Sequence, residues 1–557
     1  MTYTLKYAIA LAVILIGLRS DAQENVGGLP YSFRHGLPND AIPSVFAAEF
    51  DAGAVAADDV SRARAGMIPF YARLQAVGHG CLDTGRWTEL ANGDRLWQLR
   101  VVSPGALATE LFFSGFRLPA GAILYVYSDD GSEVLGGFTA YNNHPSGLFT
   151  TAPIRGEASI IEYFEPAMVR GEGGITVSSV GHAYRSTDGT RADACEVDVR
   201  CGPEGTGLAE ERDGVVRISV VESGGLAWCS GSVMNNTQED CTPYILTALH
   251  CGVNSTDADF NQYKFYFRYE RSGCGTGTAL ASKVMTGCVR RADSNCGGGV
   301  SGSDFLLLEA SNYIPVSYSP YFNGWDATGN VSNTSKCIHH PAGDEKKIST
   351  CTTATQSSQW GTGVGSHWRV VWGPTPNGWG VTEGGSSGSP LFDPNGLVIG
   401  TLTGGASCCT DNGCGTNTGP TKPDFFGKMS YHWGPDNPNL PEQELHFWLD
   451  SASTGATVFG GAYNPCNRVD PPEPVVPVPS AFPNPARDHI TVVFGDDDSC
   501  AERVIMFDLR GRHIMDFTPT ACGSITISTL GLAASAYFIE VFMSGSAKVH
   551  GPIFVSE

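Results

Sequence analysis

Apolar and polar positions alternate with a period of two through most of the chain. Leu96-Trp97-Gln98-Leu99-Arg100-Val101-Val102, Glu110-Leu111-Phe112-Phe113 and Ala122-Ile123-Leu124-Tyr125-Val126-Tyr127 are strand patterns, punctuated by Pro119-Ala120-Gly121 and Asp129-Asp130-Gly131. The pattern returns near the C-terminus at residues 490–494, 503–507 and 536–542. Helical spacing is scarce. It occurs over residues 58–77, with Ile68, Tyr71 and Leu74 on one face, and over 442–450, which reads as a closing helix. An all-β chain is predicted, with a β-sandwich at each end.

The 557 residues exceed one domain. An apolar run over residues 7–18 after Lys6, followed by Ser20-Asp21-Ala22, reads as a secretory signal peptide over residues 1–22. It is short for a membrane span, and no transmembrane segment is expected. Residues 23–191 form a β-rich segment whose one cysteine, Cys81, has no partner within it; a carbohydrate-binding module and a pro-domain are both open. Cysteines are dense from Cys195 to Cys414, and a Pro-rich stretch over 464–480 separates this part from a tail, 481–557. Seventeen cysteines and an exported chain imply disulfides. A net charge of −22 argues against a nucleic-acid partner. No spacing calls for a metal or an organic cofactor.

The stretch Glu383-Gly384-Gly385-Ser386-Ser387-Gly388-Ser389-Pro390 carries the candidate chemistry. Glycines at 385 and 388 let the backbone bend tightly and gather N–H groups at one point, which suits a nucleophilic serine beside an oxyanion hole. A serine hydroxyl needs a base, and the base needs an orienting carboxylate. His250 ends the apolar run 244–249, and Asp304 heads the apolar run 305–308, where burial without a partner would be costly. The order His250, Asp304, Ser387 is that of the chymotrypsin-like double barrels.

These residues resemble the lysyl endopeptidases, secreted bacterial serine peptidases with a trypsin-like double β-barrel. The resemblance covers about residues 192–463. It rests on Cys195-Glu-Val-Asp-Val-Arg-Cys201, Cys229-Ser-Gly-Ser232, Leu246-Thr-Ala-Leu-His-Cys-Gly252, residues 303–309, Ile338-His-His-Pro341 with Glu345-Lys-Lys-Ile348, and Val381-Thr-Glu-Gly-Gly-Ser-Ser-Gly-Ser-Pro390. It implies a triad of His250, Asp304 and Ser387, with the N–H groups of Gly385 and Ser387 as the oxyanion hole. It implies Asp424 as the carboxylate that receives a substrate cation, hence cleavage after Lys, with Arg also accepted. Trp360 corresponds to an indole packed beside the catalytic histidine. A companion histidine of the family is replaced by Thr403 before Gly404-Gly405, which puts strict Lys preference in doubt. His339 and His340 are read as structural.

The resemblance also implies the disulfides Cys195–Cys409, Cys201–Cys274 and Cys229–Cys251. Nearness in sequence pairs Cys408 with Cys414, Cys337 with Cys351, Cys288 with Cys296 and Cys500 with Cys522, while Cys241 and Cys466 stay unplaced. Residues 23–191 resemble the family's pro-region, with maturation after Arg191 or Arg185. The tail, through Phe482-Pro-Asn-Pro-Ala486, Asp508-Leu-Arg-Gly511 and Ala536-Tyr-Phe-Ile-Glu540, resembles the type A sorting domain of the type IX secretion system. That implies export through the periplasm and across the outer membrane, to a secreted or cell-surface enzyme. Protein or peptide substrates with Lys or Arg, the export machinery and a monomeric state follow. The alternative is a non-catalytic surface adhesin on a peptidase scaffold, which would need a broken triad.

Overall fold

A computed structural model gives the chain's fold. It describes residues 25–555 apart from 26, 38–41, 65–66, 188–191, 277–278, 280–282, 295–300, 435–442, 469–480, 483–485, 494–500, 509–511, 519–523 and 544–545. The signal-peptide reading, Arg191, Cys296, the Cys500–Cys522 pair and the Pro-rich stretch 469–480 lie outside the described residues.

The architecture is mostly β. The N-terminal unit is two facing sheets. One is built on Arg95–Val102, Ala158–Glu165 and Ile123–Ser128. The other is built on Phe70–Gly80, Gly174–Ala183 and Ala108–Arg117. Trp97, Leu99, Leu111, Phe113, Val126 and Ile161 are among the side chains between them, each essentially inaccessible to water. The helix expected over 58–77 is instead a helix at Ala52–Arg64 and a strand at Phe70–Gly80. Pro69 disfavours helix in the residue before it. The strand then pairs on both sides, with Gly174–Ala183 and with Gly225–Met234, so tertiary pairing overrides the local helical spacing.

That second pairing makes the sheet continuous. Val215–Glu222, Gly225–Met234, Tyr244–Ala248, Lys264–Phe267 and Phe305–Ala310 extend the N-terminal sheet into the part of the chain that holds His250 and Asp304. A further sheet takes Ser335–His339, Lys347–Cys351, His367–Val370, Pro390–Phe392, Val398–Gly405 and Asp424–Lys428. The apolar core between the two includes Leu246, Phe305, Leu307, Ile338, Phe392 and Val398. The closing helix is shorter than its pattern, Leu445–Leu449, with Leu445 and Leu449 buried in that core. The C-terminal unit is a three-stranded and a four-stranded sheet over a core that includes Ile490, Val504, Met506 and Ile539. No helix among the described residues is long and apolar enough to cross a membrane.

Among the described residues five disulfides are formed: Cys195–Cys409, Cys201–Cys274, Cys229–Cys251, Cys241–Cys466 and Cys408–Cys414. Cys337 and Cys351 are not paired, contrary to the expectation from spacing; both are buried thiols. Strand register explains this. Cys337 lies opposite Ser349 and Cys351 opposite Ser335, so the two are never cross-strand neighbours. Cys337 Sγ contacts Ser389 Oγ at 3.1 Å, and Cys351 Sγ donates to Thr353 O. Cys288 is likewise a buried thiol, donating to Phe260 O.

Candidate active site

The site forms where two strand ends and a glycine-rich loop converge. The strand Tyr244–Ala248 ends in a short 3₁₀ turn that carries His250, and Cys251 in that turn is tied to Cys229 on the neighbouring strand. Asp304 precedes the strand Phe305–Ala310, which pairs with Tyr244–Ala248. Its φ of 57° lies in the left-handed region, strained for a residue with a side chain. Hydrogen bonds hold it there. Asp304 O accepts from Leu249 N at 3.0 Å, Oδ1 from His250 N at 3.0 Å, and Oδ2 faces His250 Nδ1 at 2.7 Å. Both carboxylate oxygens are therefore spent on His250, which fixes the ring and leaves Nε2 free of that interaction. Burial alone would lower the His250 pKa; the charge and hydrogen bond of Asp304 outweigh it and raise it above the ordinary value.

Ser387 sits on a tight turn. Ser386 N donates to Glu383 O, and Ser389 N to Ser386 O. The turn is bolted to the strand Gly225–Met234 by Ser230 N to Ser387 O at 2.8 Å and Ser230 Oγ to Gly385 O at 3.0 Å. Gly388, with φ at +79°, is required for packing as well as for conformation. A Cβ there would meet Thr247 Oγ1 at 2.1 Å and Ala248 N at 2.6 Å, on the strand that leads to His250. Gly385 has φ at +101°, and a Cβ there would lie 2.8 Å from Gly343 N. Among the described residues, neither Gly385 N nor Ser387 N donates to another backbone group. His339 props the loop from behind, its Nδ1 2.7 Å from Ser386 Oγ, and burial pushes its pKa down to about 3. His340 is also fully buried, its Nδ1 2.9 Å from Asp344 O.

His250 and Ser387 line one cleft of about 620 Å³, together with Trp360, Thr403, Thr382 and Ser407. Asp424 lies beneath it and is 1% exposed. Its Oδ2 accepts from Trp372 Nε1 at 2.6 Å, Thr382 Oγ1 at 2.8 Å and Ser407 Oγ at 2.6 Å, and Oδ1 from Ser407 N at 3.1 Å. Burial raises its pKa, and these donors oppose the rise. Trp360 crosses Phe425 edge to face at 5.5 Å and borders Gly404.

The sequence reading missed Trp372, Thr382 and Ser407 around Asp424. It also missed His367, whose Nε2 is 3.0 Å from Thr403 Oγ1 and whose Nδ1 is 2.6 Å from Ser366 Oγ. Thr382 lies within the stretch 381–390, but nothing local marks it as a partner of Asp424; Trp372, Ser407 and His367 lie in no local motif and reach the site through tertiary folding. Arg185, expected as a processing point, is held inside the N-terminal unit, its guanidinium donating to Phe70 O and to Asp59 at 2.7 Å. The chain just beyond Arg191 docks beside the nucleophile turn, with Asp193 N donating to Glu383 Oε1 at 2.9 Å.

Two mostly antiparallel sheets thus share a cleft that both Ser387 and the Asp304-bound His250 line. Residues 190–427 match the family model described as lysyl endopeptidase, C-terminal domain. Among solved structures, it is similar to a thermostable serine protease AL20 from an extremophilic microorganism, at 14% identity and a TM-score of 0.27, over 39% of this chain and 92% of that one. It is also similar to the protease Anisep from Arthrobacter nicotinovorans, at 16% identity and a TM-score of 0.28, over 39% and 90%. A Glu endopeptidase in complex with MPD aligns at 17% identity and a TM-score of 0.26, over 44% and 93%.

Proposed function

We propose that the chain is a secreted serine endopeptidase that hydrolyses peptide bonds after Lys, and after Arg in second place. The observation that carries this reading is the pair of hydrogen bonds between His250 and Asp304 at a cleft that His250 shares with Ser387, with buried Asp424 bonded to the cleft residues Thr382 and Ser407. In the mechanism, His250 Nε2 takes the Ser387 proton as Oγ attacks the scissile carbonyl. Asp304 holds the Nδ1–H tautomer and stabilises the imidazolium. The N–H groups of Gly385 and Ser387 receive the developing oxyanion. His250 then protonates the leaving amine, and water hydrolyses the acyl-enzyme by the same route in reverse. A substrate ammonium would meet Asp424 past the hydroxyls of Thr382 and Ser407, and a carboxylate in so dry a site would favour a cation over any neutral side chain. No cofactor is invoked.

The reading extends to the flanks. Residues 23–191 are a pro-region removed after Arg191 or Arg185, and residues 481–557 are a type A sorting domain that directs export across the outer membrane. An active-site phosphonate tests the core of it. Labelling of Ser387, with cleavage after Lys in a peptide library, is expected. Absence of both would leave the non-catalytic adhesin as the better description. Intact mass and N-terminal sequence of the exported form test the two processing steps.

A further inference from the structure

Met67, Ile68 and Pro69 form one wall of the cleft that holds His250 and Ser387. Strand register puts them there. Phe70 pairs with Ala227, Ala72 with Leu226 and Arg73 with Gly225, antiparallel. The partner strand then runs on to Ser230, whose N–H donates to the carbonyl of Ser387. Antiparallel pairing carries the other chain backwards, from Phe70 through Pro69 and Ile68, towards the nucleophile. Pro69 reaches the nucleophile loop itself: a Cβ on Gly384 would lie 3.3 Å from Pro69 Cγ. Extended backbone added to a sheet edge and aimed at a reacting group is how a peptide binds by strand addition.

The segment is clamped. The Arg62 guanidinium donates twice to Ile68 O and once to Glu222, and both side chains are buried. Lys264 Nζ pairs with Glu110 Oε2 at 2.8 Å, both side chains at 0% exposure. Tyr71 stacks on Trp228 at 4.2 Å and donates to Glu110. Arg62–Glu222, Lys264–Glu110 and Tyr71–Trp228 join the N-terminal unit to the part of the chain that carries the site, while Arg62 to Ile68 and Tyr71 to Glu110 brace the segment from within its own unit. Residues 67–72 are Met, Ile, Pro, Phe, Tyr and Ala, so none of them offers a cation to Asp424.

We propose that residues 67–74 are a built-in substrate mimic, which rests on the peptidase reading above. The register runs the segment away from the Ser387 loop as its numbering rises, from Pro69 beside Gly384 to Arg73 opposite Gly225, so it fills the side of the cleft that takes the residues after a scissile bond. The side towards Asp424 stays open. The edge Gly225–Ala227 is then the recognition strand for an extended substrate, and peptide substrates compete with this segment for it.

The test uses the chain with residues 23–191 still attached, verified by intact mass. Two Lys substrates are compared: an anilide, with its chromophore directly after Lys, and a peptide with several residues after Lys. Wild type is expected to accept the phosphonate label and the anilide but to cut the peptide slowly. Pro69→Asp alters an exposed side chain and brings a carboxylate towards Glu383; Arg62→Ala removes the clamp on Ile68. Each is expected to raise the peptide rate about tenfold relative to the anilide rate. An unchanged ratio in both variants overturns the proposal alone. Failure of every variant to label at Ser387 overturns the peptidase reading, and the proposal with it.

Discussion

Thr403 and His367 share a hydrogen bond, Oγ1 to Nε2 at 3.0 Å. Thr403 stands where the family resemblance leads one to expect a histidine. The imidazole in its place comes from the strand His367–Val370, which lies beyond Asp424–Lys428 in the same sheet, and it is fully buried. Burial pushes the His367 pKa down to about 4. A histidine held neutral when folded takes up a proton when unfolded below its ordinary pKa near 6.5. Stability is therefore complete above that value and is lost as pH falls from about 6.5 to about 4. The loss reaches on the order of 3 kcal/mol for this one group. His367→Gln is expected to flatten the dependence of the urea midpoint on pH in this window, and equal slopes for both proteins would refute it.

In the proposed mechanism the Asp304–His250 pair sets the acid limb of activity. The raised His250 pKa means the base is protonated, and the enzyme inactive, to a higher pH than an isolated imidazole would allow. In Asp304→Asn that support is gone. The limb in kcat/KM is expected to move to lower pH while kcat drops by about 10⁴-fold. A pH–rate profile of the variant checks both.

Asp424→Asn removes the charge that faces the pocket but keeps acceptor capacity for Trp372, Thr382 and Ser407. The preference for Lys over a neutral residue is expected to fall by about 10²- to 10³-fold, read as a ratio of kcat/KM values. Phosphonate labelling of Ser387 should continue. Unchanged selectivity would show that the cation binds elsewhere.

Cys229–Cys251 closes a loop with a sequence separation of 22 and holds the turn that carries His250. Replacing both cysteines by Ala is expected to cost about 3 kcal/mol of stability by loop closure. It should lower kcat more than it raises KM, since His250 loses its anchor. Chemical denaturation and steady-state kinetics separate the two effects.

Legibility in the sequence followed the range of the interactions. Alternation marked Leu96–Val102 and Ala122–Tyr127 as strands because each buries a face against its own unit. The order His250, Asp304, Ser387 singled out residues whose local contexts are unusual: a histidine at a strand end, an aspartate before an apolar run, a serine among glycines. Phe70–Gly80 was misread because its partners lie over a hundred residues away, and helical spacing of Ile68, Tyr71 and Leu74 was all that local sequence offered. Cys337 and Cys351 looked pairable by distance along the chain, yet a two-residue offset in register keeps them apart. The roles of Trp372, Thr382 and Ser407 were invisible because a hydrogen-bond donor to Asp424 needs no motif, only a loop brought to the right place by the fold.

The ion pairs beneath the N-terminal unit bear on what the protein would be like in solution if that unit is removed as proposed. Detaching a domain usually bares an apolar patch and an open strand edge, both of which invite aggregation. Here the bared face would present Lys264 and Glu222, and the vacated edge pairs through only the short stretch Gly225–Ala227. The same face would bare Leu226 and Trp228, which pack with Phe70 and Tyr71, so hydration of Lys264 and Glu222 counters an apolar exposure rather than replacing it.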